Sequence, residues 1–343
     1  MLKEIRQQPA TLERTLTSQS RGIAKLRAFL DKRRPRLVVL VARGTSDNAA
    51  QFGRYLIEIT TGIPVSLAAP SVHSLYKATV DYKDALVVGI SQSGESTDIE
   101  AVLDQARKSG AMTVGITNEP KSMLANRAEH VFLVRASRER SVAATKTYTG
   151  QLLSFYLLAH ALGGAIDLVD LQAIPETAQL ALGLEARVFT LAARYREMHY
   201  AAVVSRGLNY ANAFEFALKL METSYVIAER FSSADFLHGP IAMADAHLPV
   251  FAFGPSGLAW PSIRETLERL VQVGAKAVII TDRSNREAAK YTAETIRIPA
   301  TLRELYTPIP YIIPAQLFAA ALAEAKGLDP DRPRGLRKVT TNL

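Results

Sequence analysis

Two spacings of apolar residues alternate along the chain. Short runs that are apolar throughout read as strands, and stretches with apolar positions every three or four residues read as helices. Leu37-Val38-Val39-Leu40-Val41-Ala42 is a strand, followed by a helix over 47–58. Ile63-Pro64-Val65-Ser66-Leu67 suggests a second strand. Leu86 to Ile90 is the next, with a helix running to about Lys108. Met112–Thr117 and His130–Val134 complete the set, and a long helix runs from about Ala144 to Leu162. Strands without a polar face belong to a parallel sheet covered on both sides.

The order then returns. Arg43-Gly44 matches Arg206-Gly207, and Ser93-Gly94 matches Ser256-Gly257, both at an offset of 163 residues. Gly110-Ala111 and Gly274-Ala275 follow at 164, as do Thr117-Asn118 and Thr281-Asp282. A domain-sized period means a duplication rather than a solenoid. The fold class expected is α/β, with two tandem doubly wound parallel-sheet subdomains of flavodoxin-like type. The expected boundaries are a helical segment at 1–30, a first subdomain at 31–165, a linker helix at 166–196, a second subdomain at 197–328 and a tail at 329–343.

Composition narrows the classes. The 343 residues are 48% hydrophobic and 22% charged, as in ordinary globular proteins. A formal net charge of +8 suits an anionic substrate. The basic residues are scattered, and the densest cluster, Lys32-Arg33-Arg34-Pro35-Arg36, has no aromatic interleaving, so nucleic acid is not expected. Without cysteine the chain has no disulfide, thiolate metal site or cysteine nucleophile. The N-terminus lacks the apolar core of a signal peptide, and the Leu152–Gly164 stretch is too short to span a bilayer. A cytoplasmic protein without membrane attachment is the expectation.

The most informative segment is Ser91-Gln92-Ser93-Gly94-Glu95-Ser96-Thr97-Asp98. It sits at a strand-to-helix turn, where free backbone N–H groups and the positive helix end favour an anion. Its hydroxyls add donors, and the glycine lets the backbone come close. A phosphate is the natural guest, and an ordinary hydroxyl-capped helix is the rival. The counterpart, Gly254-Pro255-Ser256-Gly257, has lost most of the hydroxyls and gained a proline, which favours one specialised anion site in the first half.

The second half carries other chemistry. Lys219 and Glu222 share a face of a helix over 211–222, a spacing that in isolation usually means a surface ion pair. His238 precedes a Gly239-Pro240 turn that can aim its ring into a cleft. In the tail, Leu336, Val339 and Leu343 offer apolar anchors that would dock the segment and carry Lys338 into a site.

Together these motifs resemble the tandem sugar isomerase (SIS) domain family, which includes the isomerase half of glucosamine-6-phosphate synthase. The resemblance rests on Gly44-Thr45-Ser46, the Ser91–Thr97 loop, Val142-Ala143-Ala144-Thr145-Lys146, Ala217–Glu222, His238-Gly239-Pro240 and the Lys338 tail. It covers nearly the whole chain. It implies that Ser91, Gln92, Ser93 and Ser96 hold a sugar phosphate, and that Gly44, Thr45, Ser46 and the Val142 backbone line the sugar site. Glu222 would move a proton between C1 and C2, and Lys219 would steady the developing charge. His238 would assist ring opening from a neighbouring subunit of a homodimer, and Lys338 would form a Schiff base with the open-chain ketose. No cofactor and no metal are implied.

The chain departs from the synthase pattern. It shows no cysteine-nucleophile glutaminase domain, so it is not expected to take ammonia from glutamine on its own. Arg43 replaces a cysteine before Gly44, and Ala144 replaces a hydroxyl residue. The Ser141–Lys146 version looks more like amine-releasing members of the family. The expectation is therefore a hexosamine-6-phosphate deaminase/isomerase. The alternatives are an aminotransferase-like enzyme, a fructosamine-6-phosphate deglycase and a sugar-phosphate sensor. The roughly thirty residues before the first strand are too few for the helix-turn-helix unit a regulator would carry.

Overall fold

The computed structural model describes residues 1–336 and Lys338. Two five-stranded, all-parallel sheets form its framework. The first holds β1 (Leu37–Val41), β2 (Val65–Leu67), β3 (Ala85–Ser91), β4 (Met112–Thr117) and β5 (His130–Leu133), in the order β2-β1-β3-β4-β5. The second holds β6 (Tyr200–Ser205), β7 (Ile227–Ser232), β8 (Val250–Phe253), β9 (Ala277–Asp282) and β10 (Thr295–Ile298), in the order β7-β6-β8-β9-β10. The orders are identical once β6 is matched to β1, so the duplication is structural, and the α/β fold class read from the sequence stands. In both sheets the order reverses beside the first strand of the repeat, the place where open α/β sheets bind ligands.

By contacts the chain divides into two compact units. One comprises Met1–Pro9, Arg140–Thr145 and Ala173–Leu336, and the other Ala10–Glu139, Lys146–Gln172 and Lys338. In the latter, Val39, Val41, Val87, Ile99, Val102 and Leu103 pack into one apolar cluster. Burying each such side chain contributes about 1.5–3 kcal/mol. Gly53 gives the helix Thr45–Thr61 its close approach to the helix Lys146–Ala161, since a Cβ there would lie 2.4 Å from the Phe155 ring. In the other unit, Val204, Val250, Ala252, Trp260, Ile263, Leu267 and Ile279 form the equivalent core.

Two expectations need correction. The stretch 166–196 is not one linker helix but three: Leu168–Gln172, Ile174–Leu182 and Glu185–Ala193. Pro175 in the first turn of the second lacks the N–H that would continue a preceding helix, and Gly183 ends it. In addition to the Leu152–Gly164 stretch stands Pro308–Ala325, an 18-residue helix with mean hydropathy 1.2 that is long and apolar enough to cross a membrane. Of its residues 89% are buried, as in a core helix.

Candidate active site

The phosphate-type loop forms where the sequence places it, between β3 and the helix Thr97–Lys108. Ser91 ends the strand, and its hydroxyl accepts the N–H of Gly94 at 3.0 Å. The Ser93 hydroxyl accepts the N–H of Glu95 at 3.4 Å. Ser96 is the N-cap residue, yet its side chain makes no cap hydrogen bond. Simple helix capping therefore does not account for that hydroxyl. Gln92 is half-buried, and its carbonyl accepts the N–H of Asn118 at 3.2 Å.

Gly94 is required twice over. Its φ is +68°, and a Cβ there would fall 2.1 Å from the Ser122 hydroxyl, which itself caps the helix Met123–Arg127 by accepting the Ala125 N–H. Gly94→Ala is expected to lower the free energy of unfolding by about 1–3 kcal/mol, read from the urea midpoint. An unchanged midpoint would show that the loop accommodates a side chain.

On the neighbouring strand, Gly44 and Thr45 open the helix Thr45–Thr61 at the carboxyl end of β1. Ser46 is buried there, and its hydroxyl accepts a hydrogen bond from Gln151 Nε2 at 2.8 Å. Arg43, just before Gly44, reaches Asp98 in the first turn of the helix after the loop, at 2.5 Å. The Ser74 hydroxyl and the Arg43 guanidinium hold the Asp98 carboxyl below the usual range, against its burial. In the sequence Arg43 is only a departure from the synthase pattern; the geometry makes it a cation beside the anion loop. Its signal was a basic residue at the carboxyl end of a strand, directly before Gly44-Thr45-Ser46.

The second repeat treats the equivalent place differently. A loop follows β8 and opens the helix Trp260–Gln272. There the Glu304 carboxylate accepts the Ala259 N–H at 3.3 Å. A Cβ on Gly257, the counterpart of Gly94, would lie 2.3 Å from the same carboxylate. Burial pushes the Glu304 carboxyl up, while the bonds from the Ala259 and Leu258 amides pull it down. An internal carboxylate thus fills the counterpart of the loop, a physical reason for its missing hydroxyls.

In the same unit, the helix Tyr210–Ser224 carries the second group of candidates. Lys219 is fully buried, not the surface residue its spacing suggested. Its Nζ lies 2.5 Å from Glu222 Oε2 and 3.4 Å from Glu215 Oε1. Burial pulls the ammonium down, but Glu215 and Glu222 more than offset it, so Lys219 sits above the ordinary lysine value. Glu215 is the residue sequence reasoning missed, and its i, i+4 spacing to Lys219 was the available signal. The Glu222 side chain is 21% exposed, in contrast to the fully buried Lys219 and Glu215.

His238 caps the end of the helix Ser233–Leu237 and is exposed. The Val142 N–H donates to the Asp331 carbonyl at 3.4 Å, which leaves a sugar contact at this residue to its carbonyl. Lys338 lies 3.7 Å from Glu139, in the unit that holds the phosphate-type loop. Its approach does not rest on Leu336, which is 46% exposed and no apolar anchor. Arg334 instead stacks over the Tyr225 ring at 4.2 Å, and its N–H donates to the Tyr225 hydroxyl. Val339 and Leu343 lie outside the described residues. The structure therefore brings the loop serines together, and Lys219 together with Glu222. Lys219, Glu222, His238 and Val142 belong to one unit; the loop, Ser46 and Lys338 belong to the other.

Comparison with known proteins bears on the family and the fold. The sequence profile of the SIS domain matches residues 33–161 and 195–324. The glutamine–fructose-6-phosphate aminotransferase (isomerizing) of Methanothermobacter thermautotrophicus is 34% identical over 99% of this chain and 57% of its own length. That of Symbiobacterium thermophilum is 36% identical over 99% of this chain and 58% of its own. The chain thus spans under three fifths of the curated relatives it matches. Among solved structures, the C-terminal domain of glucosamine-fructose-6-phosphate aminotransferase from Francisella tularensis superposes with a TM-score of 0.87 at 27% identity, covering 97% of this chain and 98% of that one. A glucosamine-6-phosphate deaminase from Thermotoga maritima shares the fold, with a TM-score of 0.70 at 21% identity over 97% of this chain and 100% of its own. With both repeats matched, the chain belongs to the SIS domain family and carries two such domains in tandem.

Proposed function

We propose that the protein is a hexosamine-6-phosphate deaminase/isomerase, converting glucosamine 6-phosphate and water to fructose 6-phosphate and ammonia. The observation that carries the reading is the Glu215–Lys219–Glu222 array, a buried ammonium between two carboxylates, one of which is partly exposed. A plain surface ion pair has no use for a fully desolvated lysine, whereas an acid/base carboxylate gains a fixed orientation and a nearby positive charge from one.

In this reading Ser91, Gln92, Ser93 and Ser96 hold the 6-phosphate, with Gly44, Thr45, Ser46 and Val142 along the sugar. His238, supplied by the partner copy of a homodimer, assists ring opening. Glu222 takes the C2 proton of the open-chain aldehyde and returns it to C1, while Lys219 steadies the enol-type oxyanion. The C2 imine that results passes to Lys338 by exchange of nitrogen, releasing ammonia, and water frees the ketose from the lysine iminium. No cofactor is needed, and the reading places the enzyme in the cytoplasm with a phosphosugar as its small-molecule partner. The Ser141–Lys146 segment favours this direction, while the identity to aminotransferases over 99% of the chain favours the reverse, amine-adding reaction.

Purified protein with glucosamine 6-phosphate is expected to release ammonia and fructose 6-phosphate in equal amounts. Net synthesis from fructose 6-phosphate and ammonia, with no release, would support the aminotransferase-like alternative. Tight binding of hexosamine phosphates without turnover would leave a sensor. Borohydride reduction with fructose 6-phosphate is expected to add the sugar at Lys338 and to add nothing in Lys338→Ala. An adduct that persists in that variant would assign the imine to another lysine.

A further inference from the structure

The Glu139 side chain is fully buried at the start of the helix Lys146–Ala161. Its Oε1 accepts the Thr147 N–H at 3.4 Å, and its Oε2 lies 3.7 Å from Lys338 Nζ. The neighbouring cation, Lys146, is buried too, with its ammonium donating to the Arg138 carbonyl at 3.0 Å. Arg138 and Arg140, the other charged groups beside Glu139 in the chain, are exposed. A buried carboxylate is costly unless a counter-charge faces it. Here a counter-charge comes from a residue 199 positions further along the chain, on a side chain only 24% exposed.

We propose that Glu139 is a positioning residue for Lys338: its carboxylate holds the amine in place and then faces the iminium that the amine forms with an open-chain ketose 6-phosphate. The proposal rests on the reading of Lys338 as the Schiff-base lysine. The step balances without a co-reactant. The Lys338 ammonium and the C2 carbonyl give a protonated imine and water, with Nζ–C2 formed and C2–O broken. One positive charge stands on the nitrogen before and after. A fixed anion on the helix side therefore favours both states, and it raises the pKa of the amine and of the iminium alike. The bond from the Thr147 N–H ties Glu139 to a rigid helix start, so the anion is placed before substrate arrives.

The test compares the wild type with E139Q and E139D. Gln keeps the acceptor for Thr147 and removes the charge, while Asp keeps the charge on a shorter stem. Borohydride trapping with fructose 6-phosphate, followed by mass spectrometry at Lys338 across a pH series, gives the first readout. E139Q is expected to lose about tenfold or more of the adduct on the alkaline side of the profile, where the wild-type iminium still keeps its proton and the variant's does not. The alkaline limb of its trapping profile should move to lower pH, and E139D should recover part of both effects. Acetic anhydride labelling of Lys338 without sugar gives the second, and its midpoint should fall in E139Q. A trapping yield and a labelling midpoint equal to wild type in E139Q would overturn the proposal. Equal losses in E139Q and E139D with an unmoved pH profile would overturn it as well, leaving Glu139 a packing role only. Failure of the Schiff-base reading looks different: the wild type itself gives no adduct at Lys338, while the labelling midpoint still separates wild type from E139Q.

Discussion

Glu222→Gln is expected to lower turnover of glucosamine 6-phosphate by about a hundredfold to ten-thousandfold, the usual contribution of a positioned general base. Binding should change little, by less than about threefold, because a loss confined to the transition state falls on kcat and not on ground-state affinity. The geometry supports the separation. The amide keeps an oxygen toward Lys219 Nζ, now 2.5 Å from the carboxylate, and Glu215 still neutralises that ammonium from 3.4 Å. What the variant loses is the ability to hold a proton from carbon. Steady-state ammonia release gives kcat, and equilibrium binding of fructose 6-phosphate gives affinity. Equal losses in the two would mean that Glu222 serves binding. Unchanged turnover would remove it from proton transfer altogether.

The sequence made the two sheets legible because parallel strands buried on both faces are written as uninterrupted apolar runs, Leu86–Ile90 and Val250–Phe253 alike. It made the anion loop legible because hydroxyls, a glycine and a helix start have to be contiguous to do their work. Glu215 was hidden for the opposite reason. A glutamate four residues before a lysine on a helix is ordinary in water, and only tertiary packing that strips the lysine of solvent turns the spacing into a buried array. Glu304 was hidden because its partner amides lie 45 residues back along the chain, on the far side of β9 and β10. The tail misled through its leucine. Apolar spacing suggested Leu336 as an anchor, while a stacked Arg334–Tyr225 pair makes the contact, and a contact that depends on a single remote ring leaves no periodic trace.

Lys219→Met is expected to show the largest loss of stability, about 3–5 kcal/mol at neutral pH, since it leaves two carboxylates of the array without their shared counter-charge. Glu215 carries most of that cost, being as fully buried as the lysine it faces. The double variant Glu215→Gln with Lys219→Met should therefore recover much of the loss, a coupling that residues acting independently do not show. The alkaline behaviour provides a second check with a definite sign. Because the folded protein holds Lys219 above its ordinary value of 10.5, the array adds its full stability below that pH and loses it as pH climbs through the folded value. The methionine variant has no such contribution to lose, so the gap between it and the wild type should narrow above pH 10.5. Urea unfolding at neutral and alkaline pH measures both quantities. A Lys219→Met protein as stable as wild type, or a gap that stays constant to high pH, would mean that the three side chains are not energetically coupled and that Lys219 does not orient Glu222 as a base.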